Sequence, residues 1–390
     1  MTAAADLQRR GYGVTIFEAL PEPGGMMRYG IPEYRLPKQV LRNEIDALLC
    51  LGIELRVSTR VGLDVPWFMI LEEYEAIFLA VGAQKSAPMG IQGETLAGVQ
   101  GAVEFLRQVN SSHVAGVGDR VAVIGGGNAA IDAARTALRM GAGDVHILYR
   151  RLREDMPALR EEIRAAEEEG VRLDFLVSPK EILGSDGRVR EIVCRRMRLG
   201  EYDSTGRRKP VDDPEAAFSM KVDQVLTAIG QSTELPFGSR AGVGISRTGL
   251  VSVLKGVHTG TSHPKVFAGG DVVTGPGSVI WAIAAGHRAA DEIDRSIRLK
   301  KGAAPSIPPP EEKIEISMDP GQEVVERGQE PMVLLTLEDR LRGFAEVELG
   351  YTPEQAFREA ARCLRCDLRI EEDEEEAHIL SPAGSRSGRG

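Results

Sequence analysis

Residues 120–151, RVAVIGGGNAAIDAARTALRMGAGDVHILYRR, decide the fold. The apolar run Val121–Ile124 reads as a strand buried on both faces, and the helical periodicity from Asn128 onward leads into a second apolar run that ends at Tyr149. Between strand and helix, Gly125 and Gly127 permit a tight turn and a close approach of backbone to ligand. Ala130 is small enough for the helix to pack on its strand, and the helix N-terminus at Asn128 and Ala129 faces the place of a pyrophosphate. A lone G-x-G-x-x-A is a weak signal. Strand, turn, helix and second strand in this order make a dinucleotide-binding unit.

The end of the second strand bears on which dinucleotide. An acid there accepts the ribose 2′-hydroxyl of NAD, whereas this chain carries Arg150 and Arg151, which suit a 2′-phosphate. NADP(H) is therefore favoured over NAD(H). The alternative is that one arginine stacks on the adenine or pairs with a carboxylate such as Glu154.

Working outward, similar short apolar runs bounded by glycine recur, among them VTIFEA, AIFLAVGA, VDQVLTAIG and KVFAGGD, alternating with helix-length stretches. This rhythm implies an α/β protein with largely parallel sheets. The segment REIVCRRMRLGEYDSTGRRKP is expected to form a β-hairpin turning at DSTG. With 390 residues the chain holds several domains without disulfide support. A net charge of −10 argues against nucleic acid as a partner. No apolar run approaches the roughly 18 residues needed to span a bilayer, so a cytoplasmic location is expected. Among the four cysteines, Cys50 and Cys194 read as core fillers.

The opening, MTAAADLQRRGYGVTIFEALPEPGGMMRYG, resembles the back half of a second such unit, with a helix, a buried strand and the acid Glu18. In the unit at 120–151, Gly125 precedes Arg150 by 25 residues, and the same offset from Glu18 falls before Met1. The expectation is a glycine turn just upstream, lost through a mis-assigned start or a trimmed chain, with a genuine loss as the alternative; reading the codons before Met1 checks it. Far along the chain, VFAGGDVVTGPGSVIWAIAAG pairs a strand with a Gly270-Asp271 turn and a glycine-containing helix. The aspartate suits a ribityl or phosphate group. The helix amides near Ile280, Trp281 and Ala282 suit negative charge at a flavin N1 and O2 edge.

The ordered set EALPEPGGMMRYGIPEYRLPK, LAVGA, VAVIGGGNAAIDAARTALRMGA, YRRLREDMPA, TAIGQ and VFAGGDVVTGPGSVIWAIAAG is similar to the glutamate synthase small-subunit type of NAD(P)H:FAD oxidoreductase, within the pyridine nucleotide-disulfide oxidoreductase superfamily. The resemblance covers residues 1 to about 298. It implies two nested Rossmann-like dinucleotide domains, the FAD domain (1–108 and 239–300) being split by the NAD(P)H domain (109–238). Glu18 would hold the adenosine ribose of FAD, and Gly24, Gly25, Arg28 and Ile31 would line the stretch from pyrophosphate to flavin. Gly82 and Gly230 would mark the crossings between domains, and Asp271 would meet the ribityl chain. The family's cysteine-rich N-terminal iron–sulfur domain has no counterpart in this sequence. No side chain is required as nucleophile or general base; the family passes a hydride from NAD(P)H to FAD and electrons onward to an iron–sulfur or catalytic partner subunit.

Beyond Lys300 the composition changes. A proline-rich linker (301–312), a small docking module (313–370) and a disordered acidic tail (371–390) are expected. In YTPEQAFREAARCLRCD, Thr352, Pro353 and Gln355 form an N-cap, a first helical residue and a capping box. Cys363 and Cys366 form a C-x-x-C that is half of a metal or iron–sulfur site at most. A site shared with a partner, a redox pair, and two incidental cysteines in a docking helix all remain open. So does the reading of the whole chain as an FAD-free NADP(H)-binding structural or regulatory subunit, or as a disulfide reductase.

Overall fold

In the computed structural model, residues 1–112, 116–202, 206, 208–238, 242–304 and 328–363 are described. The expected linker and the acidic tail, with Cys366, lie outside these residues, apart from 301–304. Two units are distinguished: 1–308 with 336–346, and 309–335 with 347–390.

The first unit begins with α1 (Thr2–Arg9), β1 (Thr15–Phe17), α2 (Gly25–Tyr29), α3 (Lys38–Leu49), β2 (Glu54–Arg56), α4 (Trp67–Glu73), β3 (Ile77–Leu79) and β4 (Lys85–Ser86). Then come β5 (Val99–Gly101), α5 (Ala102–Ser112), β6 (Arg120–Ile124), α6 (Asn128–Arg139), β7 (Asp144–Tyr149), α7 (Arg160–Glu168) and β8 (Arg172–Phe175). Strands β9 (Val177–Ser185), β10 (Arg188–Tyr202), β11 (Arg208–Lys221), β12 (Gln224–Thr227) and β13 (Gln231–Ser232) follow. The main body closes with β14 (Val266–Ala268), α8 (Asp271–Thr274) and α9 (Val279–Lys300), to which α10 (Leu337–Leu341) is added.

The central sheet has the order β5-β12-β6-β7-β8 and is parallel throughout. Helices α5, α6 and α7 cover one of its faces, and β9 and β10 cover the other through Ile182, Val189, Ile192 and Cys194; buried on both faces, its strands read as continuous apolar runs rather than alternating ones. Val121, Val123, Val145, Ile147 and Leu226 join Ala130, Ile131, Ala133 and Ala134 of α6 in one core. From β6 the chain winds one way through β7 and β8, and β12 lies on the other side. The turn after β6 is therefore a topological switch point, where doubly wound sheets bind ligands.

The other sheet elements of this unit are the parallel pairs β1–β2 and β3–β14, with Leu79 opposite Ala268. β9, β10 and β11 form an antiparallel sheet in which β10 and β11 make the expected hairpin; residues 203–205 of its DSTG turn lie outside the described set. The two crossing segments pair with each other as β4 and β13, and the Ala87 amide donates to the Gly230 carbonyl at 2.9 Å. Because Val99–Gly101 already lies in the central sheet, that sheet starts ten residues before the boundary at 109 drawn from the sequence (109 − 99).

In the second unit, α11 (Pro353–Ala360) carries the expected capping box: Thr352 Oγ1 accepts from the Gln355 amide at 3.2 Å, and Gln355 Oε1 from the Thr352 amide at 2.9 Å.

Candidate functional site: two dinucleotide cradles

At the end of β6, Gly125 has φ +142, and a Cβ there would lie 2.3 Å from the Ala228 carbonyl oxygen, so only glycine fits. Gly126 is closed by the Tyr149 ring, which a Cβ would meet at 2.6 Å; this packing constraint is not visible in the motif spacing. Gly127 is different, since its nearest neighbour, Pro157, would be 3.8 Å away. Its free side leaves room for a ligand to approach the backbone.

Asn128 and Ala129 occupy the first turn of α6, where amides have no intrahelical acceptor and carry the positive end of the helix dipole. The Ala130 amide is already used, donating to the Gly127 carbonyl at 2.9 Å, and the residue is fully buried as the packing argument requires. The Asn128 side chain accepts from the Leu159 amide at 3.1 Å, which ties the loop before α7 to this turn. Beyond β7 the two arginines part company. Arg150 is exposed, whereas Arg151 is only 7% exposed and faces the protein interior. Successive residues leaving a strand face opposite sides, so of the two expected ligand arginines only Arg150 is open to solvent.

The second cradle is assembled from distant segments. Glu18 follows β1, and its Oε1 accepts from the Leu20 amide at 2.8 Å. Burial pushes its carboxyl up, opposed by amide bonds from Leu20 and Ala19 and by the Arg107 charge. Gly82 follows β3, and Gly269, Gly270 and Asp271 follow β14. All of these positions lie at carboxyl ends of parallel strands. Burial raises the Asp271 carboxyl as well, although its Oδ1 accepts from the Gly277 amide at 3.2 Å.

Gly24 and Gly25 open α2, whose Arg28 forms an ion pair with Glu22. The Ile31 carbonyl is held by Asn110 Nδ2 at 3.3 Å and by Lys38 Nζ. At the start of α9, Ile280 and Trp281 are 65% and 68% exposed, and the Val279, Ile280 and Trp281 amides belong to the unsatisfied first turn. Ala282 is a correction: its amide donates to the Ser278 carbonyl at 3.2 Å, so it is not free for a ligand.

Two residues in this cradle have no sequence signal. Gln84 Nε2 would lie 3.3 Å from a Cβ on Gly82 and 3.8 Å from one on Gly25, so it links these glycines across the groove. Its orientation is set by Arg107 of α5, whose Nη2 donates to Gln84 Oε1 and to the Gln84 carbonyl, both at 3.1 Å. Arg107 Nε is buried with no protein partner. An orphaned guanidinium N–H beside Glu18 suits a polar, anionic ligand better than water-filled space.

In the second unit Cys363 is exposed just beyond α11. Of the presumed core fillers, Cys194 is fully buried and burial pushes its thiol up to about 12, but Cys50 is exposed because it caps α3 on its solvent side. Among the described residues no group of three or more His, Cys, Asp or Glu is placed to hold a metal ion. None of the described helices is long and apolar enough to cross a membrane.

A doubly wound sheet with a glycine cradle, joined by a paired double crossing to further parallel strands with a second cradle, defines a protein built around two dinucleotides. The chain belongs to the pyridine nucleotide-disulphide oxidoreductase family, which it matches over residues 1–286. It is 42% identical over 379 residues to the NADP(+)-dependent formate dehydrogenase subunit beta of Moorella thermoacetica, covering 94% of this chain and 53% of that protein. With the NADPH-Fe(3+) oxidoreductase subunit beta of Geobacter sulfurreducens it shares 36% identity over 402 residues, or 94% of this chain and 59% of the relative. The chain thus spans little more than half the length of these curated relatives. In fold it is similar to FprA of Mycobacterium tuberculosis in complex with NADPH, at a TM-score of 0.66, 22% identity and coverage of 79% and 84% of the two chains.

Proposed function

We propose that this chain is the flavoprotein part of an electron-transfer complex, passing a hydride between NADP(H) and FAD and electrons onward to an iron–sulfur or catalytic partner subunit. The observation that carries the reading is the pair of cradles in one unit, joined where β4 meets β13. The residues suit both groups. The open face at Gly127 and the first-turn amides of α6 fit a pyrophosphate, and exposed Arg150 fits a 2′-phosphate.

On the other side, Glu18 is placed to accept from ribose hydroxyls, and the amide of Gln84 and the orphaned Nε of Arg107 to donate to the polar stretch between Gly25 and Gly82. The exposed apolar Ile280 and Trp281, beside free amides, suit a flat ring with negative charge at one edge. When bound, FAD supplies a hydride acceptor that can release its electrons singly. The chain's own part is orientation and electrostatic tuning, without a nucleophile or general base. The names of the two relatives, each a beta subunit, support an onward partner. The exposed Cys363 supports a contact site for it, with half of a shared cluster as one use of the C-x-x-C. Free thiols at Cys50 and Cys363 fit a reducing, cytoplasmic setting.

The test is optical. The purified chain is expected to be yellow and to bleach on anaerobic addition of NADPH. A colourless protein that binds NADPH would replace this reading with that of an FAD-free binding subunit.

A further inference from the structure

The stretch Gly30–Lys38 leaves the flavin-side cradle and plugs into the helix of the other cradle. Arg35 Nη1 donates to both carboxylate oxygens of Asp132 on α6, at 2.8 and 3.0 Å, and its Nε lies 3.0 Å from Glu162 Oε1 on α7. Beside it Tyr34 is 1% exposed, with the Arg135 and Arg139 guanidinium carbons 4.8 and 3.9 Å from its ring centroid. Glu169 holds those two arginines from behind, with bonds between 2.6 and 2.9 Å. The near end of the stretch is pinned by Asn110 Nδ2 of α5, which donates to the Tyr29 carbonyl at 3.0 Å.

Asp132 stands one helical turn after Asn128, the first residue behind the pyridine-nucleotide turn, and the plugged stretch begins five residues after Gly25 (30 − 25). Of the contacts between the two cradles, the Arg35–Asp132 pair is the one that reaches the helix of the pyridine-nucleotide turn with both carboxylate oxygens.

We propose that Arg35 and Asp132 are positioning residues that clamp the two cradles in one fixed relation, so that nicotinamide and flavin meet in a preset geometry. This rests on the function proposed above for its catalytic consequence, but not for its mechanical one. Buried ion pairs contribute little net stability, so the pair is expected to serve geometry rather than the fold. Burial raises the Asp132 carboxyl to about 6 against the pull of Arg35. The other charged or titratable groups facing it are Tyr34, Lys38, Arg135 and Glu162. Above about pH 6 the clamp is ionised and closed, and below it the carboxyl is neutral and the pair loosens. For stability the sign is opposite: a raised carboxyl pKa means that ionisation opposes folding as pH rises through that value. Replacing Asp132 by asparagine removes that opposition but leaves Arg35 with Glu162 as its remaining partner, so a modest fall in the thermal midpoint near neutral pH is expected.

The experiment uses the full chain with Asp132→Asn, Arg35→Met and the double variant. Anaerobic single-turnover bleaching by NADPH is expected to slow about tenfold to a hundredfold in each single variant, and no further in the double. FAD content and the NADPH dissociation constant should stay near wild type. In cofactor-free protein, hydrogen exchange should accelerate in residues 26–36 and in the first turns of α6, but not in β6. Wild-type bleaching should fall from about pH 8 to about pH 5, while Asp132→Asn stays flat. The clamp is overturned by unchanged exchange, by an unchanged rate, or by a rate loss matched by loss of either cofactor. If Asp132→Asn does not fold, a wild-type rate that is flat over the same pH range overturns it. A chain that takes up no FAD refutes the function above, and the exchange experiment alone then decides the clamp.

Discussion

The units α6–β7 and α1–β1 perform the same architectural task and end in opposite charges. β7 runs into Arg150, exposed and cationic, and β1 runs into Glu18, half-buried and anchored by the Leu20 amide. A carboxylate matches ribose hydroxyls and a guanidinium matches a phosphate, so under the proposed function one local fold used twice would discriminate two dinucleotides by the residue after the strand. The surroundings differ too. β6, which leads into the first cradle, is paired on both sides and buried from Val121 to Ile124, whereas β1 is half-buried and pairs with β2 alone among the described strands. The first cradle is continuous in sequence, and the second is gathered from five separate places: Glu18, Gly25, Gly82, Arg107 and Asp271.

The comparison breaks most sharply at Gly125. Gly125→Val places a side chain against the Ala228 carbonyl and should weaken NADPH binding about a hundredfold or more while flavin retention persists, as read by titration and by the visible spectrum. Glu18→Ala is the mirror image. Losing a charged acceptor for ribose hydroxyls should weaken FAD binding about tenfold to a hundredfold and leave NADPH binding intact, as measured by flavin release on dilution.

Arg150→Leu should sharpen the contrast by lowering NADPH affinity roughly tenfold without touching NADH. The same change at buried Arg151 should lower the thermal midpoint instead. The smallest effect is expected at Gln84→Ala, which removes one of the two acceptors of Arg107 Nη2 but keeps the Gln84 carbonyl, and should weaken FAD binding only about threefold to tenfold.

How far each cradle was legible follows from its continuity. Gly125, Gly127 and Ala130 could be read because strand, turn and helix are consecutive, and the β10–β11 hairpin because its turn residues sit between two apolar runs. Resemblance to a family reached Glu18, Gly82, Gly230 and Asp271, which stand at strand ends or in the paired crossing. It could not distinguish Arg150 from Arg151, nor see that the Ala282 amide is already bonded within α9, because both depend on where a strand or helix begins and ends to the residue.

Gln84 and Arg107 were invisible. They stand 23 residues apart on different elements, and neither belongs to a periodic or motif position. Cys50 looked like a core residue from its apolar neighbours and proved to lie on the outer side of α3.

The amino-acid sequence by itself determined the α/β rhythm, the glycine turn at 125–127, the charge that follows each second strand and the capped helix after Thr352. These are local properties, set by backbone freedom, side-chain size and hydrophobic period. Tertiary structure alone decided which arginine faces outward, which side chains close the flavin-side cradle, and that Arg35 reaches Asp132 across 97 residues. Burial, orientation and the pairing of distant charges are properties of packing, and packing exists only once the chain has closed on itself.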